Sequence, residues 1–434
     1  MANLRAVKIG TQSIMKIGLF TDTYHPSING IVYVIDIIYE NLARQGHIVT
    51  IVAPRPGLRV KNNIKIPKKD VVWIPAIEGL FFDDYLVGVF SPTHTVRKLN
   101  AYGFDAVMFF TPAQVGLIAA YIAKRSNIPL IEQYCTDLVE YVKLYPSVLP
   151  GVLALSFSAP FVLKMNIKDV ASVTKKLIKP PTKKLKWSQK TISAVLTGLH
   201  NSCDLVVGVS PKSVNQLKKQ GVVANLQCIP TGVDKLLPNK IKQKLLKKKY
   251  KIGPSDKVVL YVGRLGEEKN LDMLINAYEI VAKKIKNAKL IFTGDFNYRL
   301  HLEQRASQSN YRDSIIFTGR MPRKELGNIY DIADVFAFPS ITDTQALVLN
   351  EAAYAGLPIV WCDRDVNDVV KDRVNGLLTV PNTESFASAI IEMLVNDKIA
   401  EAYSKESIKR AKLFSEAKMT RKLIDNIKVL VKEY

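Results

Sequence analysis

The segment VFAFPSITDTQALVLNEAAYAGLPIV, residues 335–360, decides the fold class. Its first residues, Val335 to Phe338, are an apolar run of the kind that makes a buried parallel strand. Pro339 and Ser340 stop that strand. Residues 341–345 form a polar loop in which Asp343 and Thr344 can cap a helix. From Ala346 the pattern is helical, Gly356 followed by Pro358 ends it, and Ile359 and Val360 start the next strand. This order leaves unsatisfied backbone N–H groups at the carboxyl edge of a sheet, where phosphate-bearing ligands bind in open α/β folds. Asp343 and Glu351 flank the turn, roughly 12 Å apart along a helix at about 1.5 Å per residue. Pattern alone leaves two readings open. One is a capping Asp with a solvated helix Glu; the other is a pair of carboxylates holding the two ends of a sugar nucleotide.

Composition narrows the classes. With 434 residues, 48% hydrophobic and 23% charged, the chain can bury the cores of two domains and is ordinary for a globular protein. Cys135, Cys203, Cys228 and Cys362 lack metal-ligand spacing, which fits a reduced, cytoplasmic protein. Residues 1–14 are somewhat basic without a long apolar core, so no signal peptide is expected, and Met15 could serve as an alternative start. The most apolar window, Val148 to Leu163, is broken by Pro150, Gly151 and Pro160 and is too short to span a bilayer. The net charge of +22 suits anionic lipid or nucleic acid, and the lack of any nucleic-acid motif favours the membrane surface.

Taken in order, the chain alternates strands and helices. Lys16–Phe20 reads as a strand, Asn29-Gly30 opens a helix reaching about Gln45, and Ile48–Ala53 is the second strand. Gly30 would let a ligand approach the backbone at the helix start. The segment lacks the G-x-G-x-x-G fingerprint, which argues against a nicotinamide enzyme. Strands at Asp105–Phe109, Pro129–Glu132 and Asp204–Val209 follow, with helices at Gln114–Arg125 and Ala194–Asn201. A second alternation begins with strand Lys257–Val262 and continues through strands Lys289–Thr293 and Ile315–Phe317 to the focal segment, closing with helices from Glu384 to Tyr434. The alternation predicts an α/β protein of two Rossmann-like domains with parallel sheets facing across a cleft, the chain crossing near 230–255. In the loop Gly263–Asn270, Arg264 offers a bidentate fork and Lys269 a point charge to a diphosphate.

Two stretches concentrate the positive charge. Residues 164–190 hold nine Lys against one Asp, interleaved with Met165, Leu177, Ile178, Leu185 and Trp187, and are divided by Pro180-Pro181. Such a segment suits an anionic membrane interface, with a solvated surface as the alternative. Residues 235–251, with eight Lys and no acid, read as a cap on the interdomain linker.

The segment from Asp343 to Glu351, with AAYAGLPIV behind it, resembles the E-x7-E segment of retaining glycosyltransferases of family 4, which have the GT-B fold. Asp343 stands here for the first Glu of that pattern and Ala346 for its following glycine. The Gly263–Asn270 loop resembles the family's G-R-…-E-K-N, and Ile229–Asp234 its P-x-G-V-D hinge. Tyr134-Cys135-Thr136 followed by Tyr141 resembles the Tyr-His-Thr segment of lipid-glycosylating members, with Cys135 in place of the histidine and His25 as a partial substitute.

The resemblance implies an acceptor-side domain over 1–234, a nucleotide-sugar domain over 235–414, and a last helix, about 415–434, packing back on the first domain. It implies transfer of glucose or mannose from UDP-glucose or GDP-mannose to a lipid such as diacylglycerol or a glycolipid, with no cofactor or metal. Asp343, Arg264, Lys269 and Cys135 would be catalytic, Cys135 lining the cleft near the donor sugar. Asn29, Gly30, Arg320, Met321, Thr344, Gln345, Ala346 and Glu351 would join Arg264 and Lys269 around the donor. His25, Asp137 and Tyr141 would face the acceptor. Lys175, Lys176, Lys183, Lys184, Lys186 and Trp187 would meet an anionic membrane, making the protein peripheral on the inner face of the cell membrane. Asp363-Arg364-Asp365 superficially resembles a metal-binding D-x-D but reads as a loop. The departures at Cys135, Asp343 and Ala346 keep open a catalytically impaired sugar-nucleotide binder, and a soluble acceptor is the other alternative.

Overall fold

A computed structural model of the chain describes residues 14–27, 29–56, 66–78, 86–88, 92–138 and 184–434. The first sheet runs β1 (Lys16–Phe20), β2 (Ile48–Pro54), β3 (Val71–Ile74), β6 (Ala106–Phe109), β7 (Leu130–Tyr134), β8 (Leu205–Gly208) and β9 (Leu226–Cys228). All its pairings are parallel, in the order β3-β2-β1-β6-β7-β8-β9. The short strands β4 (Ala76–Glu78) and β5 (Leu86–Gly88) form a separate antiparallel pair. The second sheet comprises β10 (Lys257–Val262), β11 (Ala288–Thr293), β12 (Ile315–Gly319), β13 (Val335–Phe338), β14 (Ile359–Trp361) and β15 (Gly376–Leu378). It is also parallel, in the order β12-β11-β10-β13-β14-β15. Central strands such as β13 are buried along their whole length, because helices cover both faces of a parallel sheet and leave no polar side.

The chain leaves the first domain and returns to it at one place. Val233 N donates to Phe414 O (3.0 Å) and Glu416 N to Asp234 Oδ1 (3.1 Å), so the outgoing and returning segments lie side by side. A Cβ on Gly232 would stand 2.5 Å from Ser415 O, so only glycine fits between them. The last helix, Glu416–Glu433, places Leu423, Ile424, Ile427 and Leu430 in the same core as Ile31, Ile35 and Ile38 of helix Gly30–Arg44.

Residues 235–251 are not a cap on the linker. Asn239 accepts from Ile241 N and Lys242 N and starts a helix, Lys240–Lys249, on the second domain. The helix is held to its neighbour Arg323–Tyr330 by Lys242–Glu325 (3.0 Å) and by Asn239 N to Asn328 Oδ1 (2.6 Å). The helix expected at Ala194 begins at Lys184, inside the first lysine cluster. No helix among the described residues is long and apolar enough to cross a membrane.

Candidate active site

In an open parallel sheet, ligands bind beyond the carboxyl ends of the strands where the strand order reverses. In the second sheet that point lies between β10 and β13. The loops leaving those two strands are Gly263–Asn270 and Pro339–Ala346, the two segments singled out from the sequence.

The two loops are joined by charge. Lys269 Nζ lies 2.8 Å from Asp343 Oδ1, and Ser340 Oγ donates to Asp343 Oδ2 at 2.5 Å. Burial alone would raise the Asp343 pKa, but the Lys269 ammonium, its hydrogen bond, the Ser340 hydroxyl and Arg264 outweigh it and hold the carboxyl below its ordinary range. Lys269 is itself only 7% exposed and sits in a short 3-10 turn. Asn270 follows in the left-handed region, φ 57°, which Asn tolerates better than most residues. Arg264 pairs with Glu268 (3.1 Å), and its guanidinium lies 5.0 Å from the Phe296 ring centre. Below them the loops after β10 and β11 touch backbone to backbone: a Cβ on Gly294, φ 147°, would lie 1.8 Å from Gly263 O.

Neither carboxylate fits the capping-and-solvated reading. Asp343 is ion-paired, and Glu351 is 4% exposed. Tyr330 Oη donates to Glu351 Oε2 (2.8 Å), and Arg323 Nη1 binds Glu351 Oε1. The same guanidinium stacks over the Tyr33 ring of the first domain, 3.6 Å from its centre. Tyr33 in turn donates to Glu416 at 2.7 Å. Helix Leu347–Tyr354 thus carries a carboxylate whose partners reach across the cleft.

The residue that opens this helix is Ala346, in the left-handed region at φ 54°, ψ 73°. Asn367 Nδ2 ties the turn down, bonding Gln345 O (2.8 Å) and Asn350 Oδ1 (2.6 Å). An L-residue with a Cβ costs about 1 kcal/mol or more in this conformation. Ala346→Gly is therefore expected to raise the unfolding free energy by about 1 kcal/mol, a gain visible in urea titrations; a loss of stability would contradict the strain argument.

The first domain grips the same loop. Gln345 and Thr231 exchange two hydrogen bonds, Thr231 N to Gln345 Oε1 (3.0 Å) and Gln345 Nε2 to Thr231 O (2.8 Å). Thr344 Oγ1 donates to Cys135 O (2.9 Å), and Ser210 Oγ, the cap of helix Pro211–Lys219, binds Thr344 O. Lys212 Nζ holds Ile341 O (2.6 Å) and Asp363 Oδ2 (2.5 Å), so Asp363 of the D-x-D-like loop is part of this clasp.

Cys135 lies half-buried at the carboxyl end of β7 and meets the Pro339–Ala346 loop through its carbonyl. Burial and Glu132 push its thiol up to about 12, so it stays protonated at neutral pH. The other expected residues take these places. His25 pairs with Asp36 (2.8 Å), Asp137 accepts from Gln216, and Asn29 caps its helix through Val32 N (3.0 Å). Gly30 faces open space, Arg320 is exposed, and Met321 packs on the second core. Lys184, Lys186 and Trp187 fall in the first turns of helix Lys184–Asn201, while Tyr141, Lys175, Lys176 and Lys183 lie outside the described residues. Arg323, Tyr330, Ser340, Ser210 and Thr231 were not anticipated. The one signal was the position of Arg323, two residues after Met321 of the residues expected around the donor.

Known proteins share this organisation. Residues 28–235 match the family described as Glycosyltransferase Family 4, and residues 242–410 the family described as Glycosyl transferases group 1. The chain is 27% identical over 389 residues to an alpha-monoglucosyldiacylglycerol synthase of Streptococcus pneumoniae, covering 88% of this chain and 78% of that one. It is 25% identical over 403 residues to the enzyme of that name from Acholeplasma laidlawii, covering 91% and 92%. The structure of Anabaena Alr3699/HepE in complex with UDP-glucose superposes with a TM-score of 0.69 at 16% identity, covering 96% of this chain and 100% of that one. Its two domains matching these two families in turn, the chain belongs to the glycosyltransferases of the GT-B fold.

Proposed function

We propose that this glycosyltransferase moves a hexose, with retention, from a nucleotide diphosphate sugar to a membrane lipid such as diacylglycerol or a glycolipid. UDP-glucose and GDP-mannose are the candidate donors, and the cytoplasmic face of the cell membrane is the proposed site of action. The Lys269–Asp343 pair where the strand order of the second sheet reverses, with Arg264 nearby, is the observation that carries the reading. In the transfer, the bond from the sugar carbon to the diphosphate oxygen breaks, the acceptor hydroxyl oxygen bonds to that carbon on the same face, and the hydroxyl proton passes to the departing diphosphate oxygen. Negative charge builds on the departing diphosphate, where Arg264 and Lys269 supply fixed positive charge. Asp343, kept ionised, offers an acceptor to the sugar and a counter-charge to the electron-poor carbon. Glu351, inside the helix that follows the loop, is suited to accept from the ribose hydroxyls.

The names of the similar enzymes from Streptococcus pneumoniae and Acholeplasma laidlawii support glucose and a diacylglycerol-type lipid. Cys135 at the position of the family's histidine favours, as a second reading, an impaired enzyme that binds the donor without transferring it.

Purified protein given each donor with and without diacylglycerol in mixed micelles separates these readings. Lipid-dependent release of nucleotide and an α-linked product are expected. A β-linked product would rule out retention, and binding without release would favour the impaired form. The protein is also expected to sediment with anionic vesicles and to leave them as salt rises, since exposed charges are screened beyond about 8 Å at physiological ionic strength. Joint replacement of Lys183, Lys184 and Lys186 by Glu is expected to weaken that binding; unchanged sedimentation would count against the membrane reading.

A further inference from the structure

Helix Lys240–Lys249 contains no buried residue, yet its orientation is fixed. Gln243 bonds Asp331 (2.6 Å), and Leu246 and Tyr250 pack against the second core. Residues four apart lie one above the other on a helix. On the face opposite this anchor stand Ile241, 72% exposed, and Leu245, 61% exposed, with Leu237, 76% exposed, just ahead of them. Exposed lysines border the ridge, Lys244 and Lys248 on one flank and Lys249 on the other, beside the Glu325-paired Lys242. No acidic residue interrupts the eight lysines of 235–251.

Large aliphatic side chains held out among lysines serve no purpose in the packing of this domain. They do match an interface that is apolar in depth and anionic at its surface. Aliphatic tips enter the acyl boundary of a bilayer while the lysine stems lie along it and the ammonium groups stay with lipid phosphates. A nucleic acid would use the lysines but has no place for Ile241 and Leu245. A ridge this narrow falls well below the roughly 1,000 Å² that a specific protein interface needs.

We infer that the ridge of Leu237, Ile241 and Leu245 with its flanking lysines is a membrane-docking element on the second domain, specific for anionic lipid surfaces. The inference rests on the membrane reading above and extends it from the first domain to the second.

The test uses the full chain and vesicles of phosphatidylcholine with and without phosphatidylglycerol. Two double variants, Ile241→Ser with Leu245→Ser and Lys244→Glu with Lys248→Glu, are each expected to lower partition onto phosphatidylglycerol vesicles about tenfold. Both are expected to keep wild-type transfer to micellar diacylglycerol and an unchanged Tm, since the positions are exposed. If the lysine variant loses binding and the aliphatic variant does not, the surface is a general polyanion site and the inference is overturned. If wild type sediments and only the Lys183, Lys184 and Lys186 variant falls, the membrane reading stands and this element does not exist. If wild type itself ignores phosphatidylglycerol vesicles, the membrane reading and the inference fall together.

Discussion

Asp343→Asn is expected to lower turnover by about a hundredfold or more while changing the affinity for free nucleotide little. The substitution keeps the shape of the side chain but removes the charge that Lys269 and Ser340 hold at 2.8 and 2.5 Å. Free nucleotide carries no transferred sugar, so its affinity does not report on an interaction made at the sugar. Removing one preorganised group of this kind costs about 3 to 4 kcal/mol in the transition state. Arg264→Ala and Lys269→Met are expected to show the same division between turnover and binding, since on the proposed reading both side chains act on charge that builds as the diphosphate leaves. Steady-state kinetics paired with calorimetric titration of UDP and GDP measures both quantities. Variants all within about twofold of wild type would remove this loop from the chemistry.

The depressed pKa of Asp343 adds a pH corollary. The stability contributed by the ion pair is present above the ordinary unfolded carboxylate pKa and is lost only as pH falls through the lower folded value. Transfer measured between about pH 5 and 8 is therefore expected to show no acid limb from Asp343.

Glu351→Gln is expected to weaken nucleotide binding by about ten- to a hundredfold, the range for losing a hydrogen bond to a charged acceptor. The same change disturbs a contact between the domains, because Arg323 binds Glu351 and covers the Tyr33 ring. Arg323→Lys is not conservative here, since an ammonium loses the planar fork and the stack together. Tyr33→Phe keeps the ring and is expected to retain nucleotide affinity, whereas Tyr33→Leu is expected to lower it several-fold, a stacked cation being worth about 1 kcal/mol. Equal affinities for the Phe and Leu variants would show that the stack contributes nothing to binding.

The strand-loop-helix order of 335–360 could be read directly, because an apolar run, an oxygen-rich loop and a Gly-Leu-Pro stop each report a local preference. The left-handed turn at Ala346 could not: alanine does not announce a positive φ, and the side chain enforcing it, Asn367, lies far along the chain. Arg264, Lys269, Asp343 and Glu351 were legible as residue types in suggestive places. The partners of Glu351 were not, since Tyr330 and Arg323 arrive from a separate helix and only the sheet order brings them together. The helix in the lysine run at 235–251 was not legible because its charge hides the four-residue spacing of Ile241 and Leu245 behind the capping Asn239. The grip of the first domain on Gln345 rests on a backbone pair at Thr231, which no side-chain pattern records.

The return of helix Glu416–Glu433 to the first domain has a consequence for the order of synthesis. The ribosome makes the first sheet early, but the aliphatic residues that complete its core at Ile31, Ile35 and Ile38 are translated after the entire second domain. The later-made domain can therefore finish folding before the earlier one does. A chain stopped after Asp234 would keep an open greasy flank and is expected to need that helix, added as a separate peptide, to stay in solution.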